Sequence, residues 1–269
     1  MVGLASRFVD IRDSVGPLCV GIDPSSQTLS DWGLADSADG ALEFARVVLD
    51  GCTNRVGIIK PQVAYFERFG AHGFAALETV IGEANSAGLC VIADAKRGDI
   101  GTTMDGYASA WLGDGPLGCH AMTVSPYLGF DALEPAFVSA EATGSTVFVL
   151  AATSNSNAEF IQQVQSDGLA IARHVVHAAR DRSANNLTVG VVVGATRPLA
   201  ESGLTPESLN GLLVLAPGFG AQGALMSDLG EIFGSATDWV IPSVSRSVVA
   251  KGASGVGAAI DGHRQELGL

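Results

Sequence analysis

Short apolar runs rich in β-branched residues recur along the chain. Nearly every position within a run is hydrophobic, so the runs lack the alternation of a strand with one face in water. Continuous apolar runs of this length are typical of parallel strands that helices cover on both faces. The pattern therefore predicts a parallel sheet. Its eight strands are PLCVGID (17–23), VGIIK (56–60), LCVIAD (89–94), AMTVS (121–125), TVFVLAA (146–152), LTVGVVVGA (187–195), LLVLAPG (212–218) and WVIPS (239–243).

Amphipathic segments with apolar residues at helical spacing separate these runs. Clear examples are ALEFARVVLDGCTN (41–54), GFAALETVIGEANSAG (73–88) and IARHVVHAARDR (171–182). A chain of 269 residues with this repeated alternation of strand and helix predicts an α/β fold, the (β/α)₈ TIM barrel. Because no change in composition and no Pro-, Gly- or Ser-rich linker divides the chain, we expect a single domain over residues 1–269. An open, doubly wound sheet is the alternative architecture.

Composition limits the partners that the protein can have. Hydrophobic residues make up 47% of the chain and charged residues 16%, which is enough apolar content for a substantial core. The net charge of −13 disfavours nucleic-acid and anionic membrane partners, since both require clustered lysines and arginines. Cys19, Cys52, Cys90 and Cys119 lack CxxC spacing, as is typical of free thiols in a reducing compartment. With no signal-peptide or membrane-span pattern either, we expect a cytoplasmic protein.

The predicted strands end in polar and ionisable residues. In a (β/α)₈ barrel, the active site is formed where the strands end and the following loops begin. These strand ends converge on one rim of the barrel, where we expect the active site. The residues that they place there are Asp23, Lys60, Asp94, Lys96, Ser125, the segment PGFGAQG (217–223) and Arg246.

The glycine-rich segment 217–223 follows the seventh predicted strand. Such a segment can be a plain turn that needs positive φ angles. Loops after the seventh and eighth strands of these barrels, however, commonly bind phosphate through backbone N–H groups. Gly218 and Gly220 would let a phosphate approach the backbone, and Gln222 and Arg246 could donate hydrogen bonds to it. We therefore favour a phosphate site over a plain turn.

Charged residues are concentrated in VIADAKRGDIGTT (91–103), at the end of an apolar strand. A surface cluster of salt bridges is the simplest interpretation of such a run. A position after a buried strand, in a chain with few charges, instead favours a functional site. Lys96 could then act as a Schiff-base nucleophile, a cation that positions a ligand, or a general acid. Asp94 and Asp99 disfavour the nucleophile, because neighbouring carboxylates stabilise the protonated ammonium that an acid requires.

The stretch from Asp94 to Thr103, DAKRGDIGTT, resembles the DxKxxDIxxT signature of the orotidine 5′-phosphate decarboxylase family. Its fuller form resembles the group of longer chains (type 2) in that family. TVSPYLG (123–129), PGFGAQG (217–223) and Arg246 resemble further family elements in the expected order, so the resemblance covers essentially the whole barrel. It implies the decarboxylation of orotidine monophosphate to uridine monophosphate and CO₂ in de novo pyrimidine biosynthesis, without a metal or an organic cofactor.

The resemblance also implies a catalytic network of alternating charge, in which Lys96 delivers a proton to C6 of the pyrimidine. The catalytic residues would be Lys60, Asp94, Lys96 and Asp99. The protein would be a homodimer with shared active sites, because part of the signature reaches into the partner's site. The residues contributed across the interface would be Asp99, Ile100 and Thr103.

Substrate binding is implied at the other strand ends. Asp23 and Lys60 would hold the ribose hydroxyls, Ser125 would recognise the edge of the pyrimidine, and the phosphate would lie against the glycine-rich segment. The segment TSNSNAEF (153–160) resembles a mobile loop that covers the ligand. The full set of expected substrate-binding residues is Asp23, Ile100, Thr103, Ser125, Pro217, Gly218, Gly220, Gln222 and Arg246.

Two other functions are compatible with parts of this pattern. A metal-dependent sugar-phosphate decarboxylase or aldolase of the broader superfamily would need an acidic magnesium ligand near the end of the second strand, where this chain has Lys60. A catalytically silent barrel could bind the nucleotide as a sensor. His174 and His177 have a spacing that metal ligands can use, but we interpret them as a surface pair on a helix, since no acid converges on them.

Overall fold

The computed structural model describes residues 3–183 and 186–269, so four positions of the expected domain, 1–2 and 184–185, lie outside the described residues. Within the described ranges, eight parallel strands form a closed barrel. The strands are β1 (Cys19–Ile22), β2 (Ile58–Pro61), β3 (Cys90–Arg97), β4 (Ala121–Val124), β5 (Thr146–Ala152), β6 (Val189–Val193), β7 (Val214–Pro217) and β8 (Val240–Val244).

The strands follow one another around the barrel in chain order. β8 pairs with β1 in parallel, with Cys19 opposite Ser243, and this pairing closes the sheet. Each of the eight predicted apolar runs overlaps one barrel strand, and the second, third and eighth strands extend beyond the predicted ends. The predicted (β/α)₈ TIM barrel is therefore confirmed, and the open doubly wound alternative is wrong.

Helices cover the outside of the barrel between successive strands. The predicted helices 41–54 and 73–88 begin earlier in the structure, at Ala38 and Gly70. For the first, the cause is an N-cap, since the Ser37 side chain accepts a hydrogen bond from Gly40 N. The helices are α1 (Leu4–Val15), α2 (Ser26–Asp31), α3 (Ala38–Cys52), α4 (Val63–Glu67), α5 (Gly70–Ser86), α6 (Gly101–Leu112), α7 (Glu134–Thr143), α8 (Glu159–Gln162), α9 (Ile171–Ser183), α10 (Pro206–Leu209), α11 (Leu229–Phe233), α12 (Arg246–Val249) and α13 (Val256–Glu266).

A small antiparallel ribbon, Gln165–Ser166 paired with Leu169–Ala170, lies between α8 and α9. Two-residue strands are too short to produce a periodic pattern, so the sequence did not predict them. The larger part of the core packs the outer faces of the strands against the helices, and a second cluster fills the barrel interior. No helix among the described residues is long and apolar enough to cross a membrane.

Helix α1 covers the end of the barrel where the strands begin. Its side chains Leu4, Phe8 and Ile11 are buried in the same cluster as Cys19 and Ile58, which stand at the starts of β1 and β2. Full burial of a side chain such as Phe8 stabilises the fold by roughly 1.5–3 kcal/mol. Because apolar packing fills this end, a ligand cavity has to open at the opposite end, where the strands finish.

Candidate active site

A cavity of about 420 Å³ opens at the carboxyl ends of the barrel strands. Charged residues form its base, and the segments that follow β5, β7 and β8 form its walls. A cavity of this size accommodates a small-molecule ligand. The residues predicted from sequence that line it are Asp23, Lys60, Asp94, Lys96, Pro217, Gly218, Gln222 and Arg246.

Asp94 is the centre of the charged base. Its Oδ2 accepts a hydrogen bond from Lys60 Nζ at 2.9 Å, and its Oδ1 accepts one from Lys96 Nζ at 2.5 Å. The side chains of Lys60 and Asp94 are 9% and 10% exposed, whereas that of Lys96 is 45% exposed and reaches into the cavity. The structure thus brings together, within one chain, two cations and the carboxylate between them.

Electrostatics fix the charge state of this buried pair. Burial alone would raise the pKa of Asp94, but the ammonium groups of Lys60 and Lys96 outweigh it and hold that pKa well below its ordinary value. Burial likewise opposes the charged form of Lys60, yet Asp94 and Asp23 raise the pKa of Lys60 above its usual range. Both residues are therefore ionised at neutral pH.

An irregularity of β3 brings Lys96 to the cavity. The register with β4 shifts between Ala93 and Arg97, and Lys96 has a φ of 48°, in the left-handed region that non-glycine residues rarely adopt. Such a conformation costs roughly 1–3 kcal/mol and persists where the surrounding structure determines it, often at functional sites. The sequence could not show this, because the apolar run of the strand ends before the irregularity begins.

Asp23 follows β1 and lines the same cavity. Its Oδ1 is buried and has no hydrogen-bond partner within the described residues. An unpaired buried acceptor costs roughly 1–3 kcal/mol, which a ligand hydroxyl donating to it would recover. Gln62, which the sequence analysis missed, accepts from Lys96 Nζ at 3.5 Å and donates to the Asp94 carbonyl at 3.4 Å.

The glycine-rich loop 217–223 forms the opposite wall. Gly218 and Gly220 have φ angles of 122° and 70°, which favour glycine. A Cβ on Gly220 would also lie 2.5 Å from Ser247 Oγ, so this glycine packs against α12 and does not line the cavity. Arg246 begins α12, lines the cavity, and its exposed side chain makes no hydrogen bond or ion pair within the part of the chain that is described. The wall therefore presents free donors to an anion.

Besides Gly220, four predicted residues do not line this cavity: Asp99, Ile100, Thr103 and Ser125. The first three lie between the end of β3 and the first turn of α6, where Asp99 Oδ1 accepts from Ile100 N at 2.8 Å. Ser125 follows the last paired residue of β4, and its backbone N–H donates to the Arg97 carbonyl at 2.7 Å. The expectation that Ser125 meets the ligand is therefore not supported by its position.

The segment after β5 lines the cavity, which the sequence analysis did not predict residue by residue. Thr153, Ser154 and Asn155 line the cavity, and Ser154 Oγ donates to Gln222 Oε1 at 3.1 Å across its mouth. The signal in the sequence was the polar run TSNS at the end of an apolar strand. The start of the predicted covering loop therefore contacts the glycine-rich loop.

The same segment is also held by contacts near its C-terminal end. Gln162 Oε1 accepts from Thr153 N at 2.8 Å, which closes the loop on itself. Glu159, at the start of α8, forms an ion pair with Arg197 at 2.7 Å, and Arg197 also pairs with Glu201 at 2.6 Å. The ion pair of Glu159 and Arg197 thus links this segment to the loop after β6.

A family model matches residues 16–259 of the chain, and its description is "Orotidine 5′-phosphate decarboxylase / HUMPS family". A protein from Corynebacterium efficiens named "Orotidine 5′-phosphate decarboxylase" is 47% identical over 257 residues, which are 91% of this chain and 89% of that protein. A Streptomyces coelicolor protein of the same name is 46% identical over 257 residues, covering 94% of this chain and 91% of the relative.

Solved structures have the same architecture. A crystal structure from Streptomyces avermitilis superimposes with a TM-score of 0.92 and 42% identity, covering 99% of this chain and 95% of that chain. The structure of Leishmania donovani OMP decarboxylase has a TM-score of 0.81 and 31% identity, covering 98% of this chain and 97% of that chain. The similarity thus extends over the whole barrel, including the strand ends that form the cavity.

Proposed function

The chain belongs to the orotidine 5′-phosphate decarboxylase / HUMPS family, and from this premise we propose how its cavity carries out the reaction. The protein is a carboxy-lyase that converts orotidine 5′-phosphate to uridine 5′-phosphate and CO₂, a step of pyrimidine biosynthesis. The observation that carries the proposed mechanism is the hydrogen-bonded row of Lys60, Asp94 and Lys96 at the base of the cavity.

The substrate spans the cavity from the phosphate wall to this charged base. The phosphate binds Arg246, Gln222 and the backbone near Gly218, which present donors at the mouth. The ribose hydroxyls meet Asp23, whose buried Oδ1 lacks a partner in the described structure, and Lys60. Because the ribose links the phosphate to the pyrimidine, this placement brings C6 of the pyrimidine beside Lys96 and Asp94.

We assign the contact with the pyrimidine edge to Ser154 instead of Ser125. Ser154 lines the cavity, and its hydroxyl is already oriented by Gln222, whereas Ser125 does not line it. A hydroxyl at this place can donate to a carbonyl or accept from an N–H of the base. The covering segment would then contact both the pyrimidine and the glycine-rich loop that binds the phosphate.

The reaction breaks the bond between C6 and the carboxylate carbon. The electron pair stays on C6, CO₂ leaves, and C6 takes a proton from Lys96 Nζ, which leaves a neutral amine that is reprotonated from solvent. A cation fixed beside C6 stabilises the negative charge as it develops. The Asp94 carboxylate, whose Oδ1 lies 2.5 Å from Lys96 Nζ, fixes the position of this nitrogen as the proton donor.

Repulsion between Asp94 and the substrate carboxylate is the smaller contribution. Two like charges ~4 Å apart at an effective dielectric of ~20 repel by about 4 kcal/mol. This corresponds to a factor of roughly one thousand, whereas a very slow uncatalysed reaction requires on the order of 20 kcal/mol. The preorganised Lys96 and the binding energy of the phosphate, which closes the covering segment, supply the larger share.

We further propose a homodimer with shared active sites. Asp99, Ile100 and Thr103 lie outside the cavity of their own chain, so they are free to serve a partner's cavity. Ile100 is 61% exposed, and Tyr127 on the segment after β4 is 77% exposed, which is apolar surface that a second copy would cover.

Subunit complementation tests the shared site. Lys96→Ala and Asp99→Ala variants, each inactive alone, should regain about a quarter of wild-type activity when they are mixed and allowed to exchange subunits, because one site of each mixed dimer is intact. Sedimentation of the wild type should show a dimer. A mixture that exchanges subunits yet stays inactive would contradict the shared site.

An absorbance assay with orotidine 5′-phosphate, with and without EDTA, tests the function itself. We expect the absorbance of the substrate to fall at the same rate in both conditions. Activity that EDTA abolishes and magnesium restores would favour the metal-dependent alternative, which the ammonium of Lys60 beside Asp94 disfavours electrostatically. Tight binding of uridine monophosphate without turnover would favour the silent sensor.

We also propose that residues 1–269 act as one barrel domain in the cytoplasm. Cys19, Cys52, Cys90 and Cys119 are all free and buried, as in proteins of a reducing compartment. Burial raises the pKa of the Cys19 thiol to about 12, which keeps it neutral.

A further inference from the structure

We propose that Thr123 is a positioning residue that holds Asp94 and Lys96 in their reactive arrangement. Thr123 lies on β4, is 1% exposed, and lines the base of the cavity. The inference rests on the proposed function, since it concerns the two residues to which that function assigns the chemistry. The family signature DxKxxDIxxT does not include this position.

The hydroxyl of Thr123 joins these two residues through hydrogen bonds of known direction. Its Oγ1 accepts from the backbone N–H of Lys96 at 3.0 Å. The same oxygen lies 2.9 Å from Asp94 Oδ1, which is ionised and can only accept. The single hydroxyl hydrogen therefore points to Asp94, and Thr123 fixes one carboxylate oxygen and one backbone N–H at the same time.

The irregularity in β3 explains why a hydroxyl is needed here. Ala93 lies opposite Met122 and Arg97 lies opposite Val124, so residues 94–96 form a bulge across from Thr123. Lys96 is in the left-handed region within this bulge. Its backbone N–H donates to the side chain of Thr123 instead of to a backbone carbonyl of the neighbouring strand. Thr123 thus completes the hydrogen bonding that the bulge interrupts.

Asp94 Oδ1 receives a second donor, Lys96 Nζ, at 2.5 Å. The carboxylate is therefore held from three directions by Lys60, Lys96 and Thr123, of which only Thr123 is uncharged. Without the hydroxyl, the carboxylate and the Lys96 backbone could each rotate, and the ammonium would lose its fixed position. Displacing a catalytic group by about 1 Å can cost roughly 100-fold in rate.

Thr123→Val tests the inference, since valine keeps the shape and removes only the hydroxyl. We expect kcat for orotidine 5′-phosphate to fall about 100-fold, while KM and the Kd for uridine monophosphate change less than about threefold. Thr123→Ser, which keeps the hydroxyl, should restore kcat to within about threefold of wild type. The concentration of folded sites is counted by titration with uridine monophosphate.

Thr146→Val is the matched control. Thr146 is also fully buried on a barrel strand, and its hydroxyl donates to the Leu187 carbonyl at 2.9 Å, away from the cavity. This variant should lower Tm but leave kcat per folded site unchanged. If Thr123→Val behaved in the same way, Thr123 would be merely structural and the inference would be overturned.

The outcomes also separate this inference from the proposed function. If the wild type decarboxylates orotidine 5′-phosphate and Thr123→Val has the same kcat, the inference alone is overturned. A folded wild type that binds the nucleotide but does not decarboxylate it overturns the proposed function, and the inference with it. If Thr123→Val does not fold, Thr123→Cys provides the measurement, because a thiol is a weak donor and should give a kcat below that of Thr123→Ser. A kcat of Thr123→Cys equal to that of Thr123→Ser would overturn the inference.

Discussion

At the base of the cavity, Lys60 and Asp94 are buried and their charges are paired before any ligand is bound. At its mouth, Arg246 is exposed and, within the described residues, its side chain has no partner, while the neighbouring loop contains glycines with positive φ. In the proposed mode of binding, these two ends of one cavity bind the same substrate in different ways. The charges at the base are already paired within the folded chain, whereas the donors at the mouth would gain their partner only when a ligand binds.

The physical reason lies in the different tasks. Charged groups that stabilise the charge developing in the transition state have to be oriented before the reaction, because reorganisation during the reaction would lower the rate. Burying such charges is costly unless they are paired, so Asp94 lies between two cations. A mouth that captures phosphate gains most when binding itself orders the loops and excludes water. Variants at the base should therefore lower kcat with little change in KM, and variants at the mouth should lower kcat/KM and raise KM.

The largest effect is expected for Lys96→Ala. In the proposed mechanism this variant loses both the proton donor and the cation beside C6, so kcat should fall by at least ~10⁴-fold. Binding of uridine monophosphate, measured by calorimetry, should stay largely intact because the mouth is unaltered. Lys251→Ala, which removes an exposed lysine outside the cavity, is the control. Near-wild-type turnover by Lys96→Ala would refute the general-acid assignment.

Asp94→Asn should lower kcat by roughly 10³-fold, since the two ammonium groups then repel each other and Lys96 loses its fixed position. A pH effect on stability should accompany it. The pKa of Asp94 is lowered on folding, so its contribution is complete above the ordinary value of about 3.9 and is lost as the pH falls below it. The Tm advantage of the wild type over Asp94→Asn should therefore shrink between about pH 5 and pH 3. An advantage that grew on acidification would contradict the depressed pKa.

Arg246→Ala should act at the mouth. Loss of a charge-assisted hydrogen bond to phosphate, worth about 2–3 kcal/mol, should lower kcat/KM about 100-fold, with a rise in KM that the base variants do not show. Orotidine without its phosphate gives a sharp control, because the substitution should then have almost no further effect. Equal losses with both substrates would mean that Arg246 acts on the base of the cavity and would remove the contrast between the two ends.

Glu159→Gln should have the smallest effect. It breaks the ion pair with Arg197 that holds the covering segment, and the two side chains are 52% and 27% exposed. Exposed pairs contribute about 0–1 kcal/mol, so KM should rise less than about fivefold, and more at low salt than at high salt. Glu201→Gln removes the other partner of Arg197 without touching the segment, and it should leave KM unchanged. Identical behaviour of the two variants would show that this pair does not hold the segment.

The sequence by itself determined the barrel and much of its base. Eight continuous apolar runs can be buried together only in a sheet that is covered on both faces, and their parallel ends bring Asp23, Lys60 and Asp94 to one rim. The position of Lys96, directly after the same buried run, made it a candidate, and the resemblance of DAKRGDIGTT to the family signature implied its role. The barrel and its rim depend on local patterns of burial, which the sequence encodes directly.

Only the tertiary structure decided which side chains reach the cavity. Ser125 ends one predicted strand and Ser154 follows another, yet the register of β4 and the path of the segment after β5 bring only Ser154 to the mouth. The bulge in β3, the left-handed Lys96 and the hydroxyl of Thr123 opposite it depend on strand pairing over a separation that no local pattern spans. Hydrogen bonds between residues distant in sequence form only once the fold has set their geometry. For that reason the sequence indicated which charged residues lie at the base of the cavity, but not how they are hydrogen-bonded to one another.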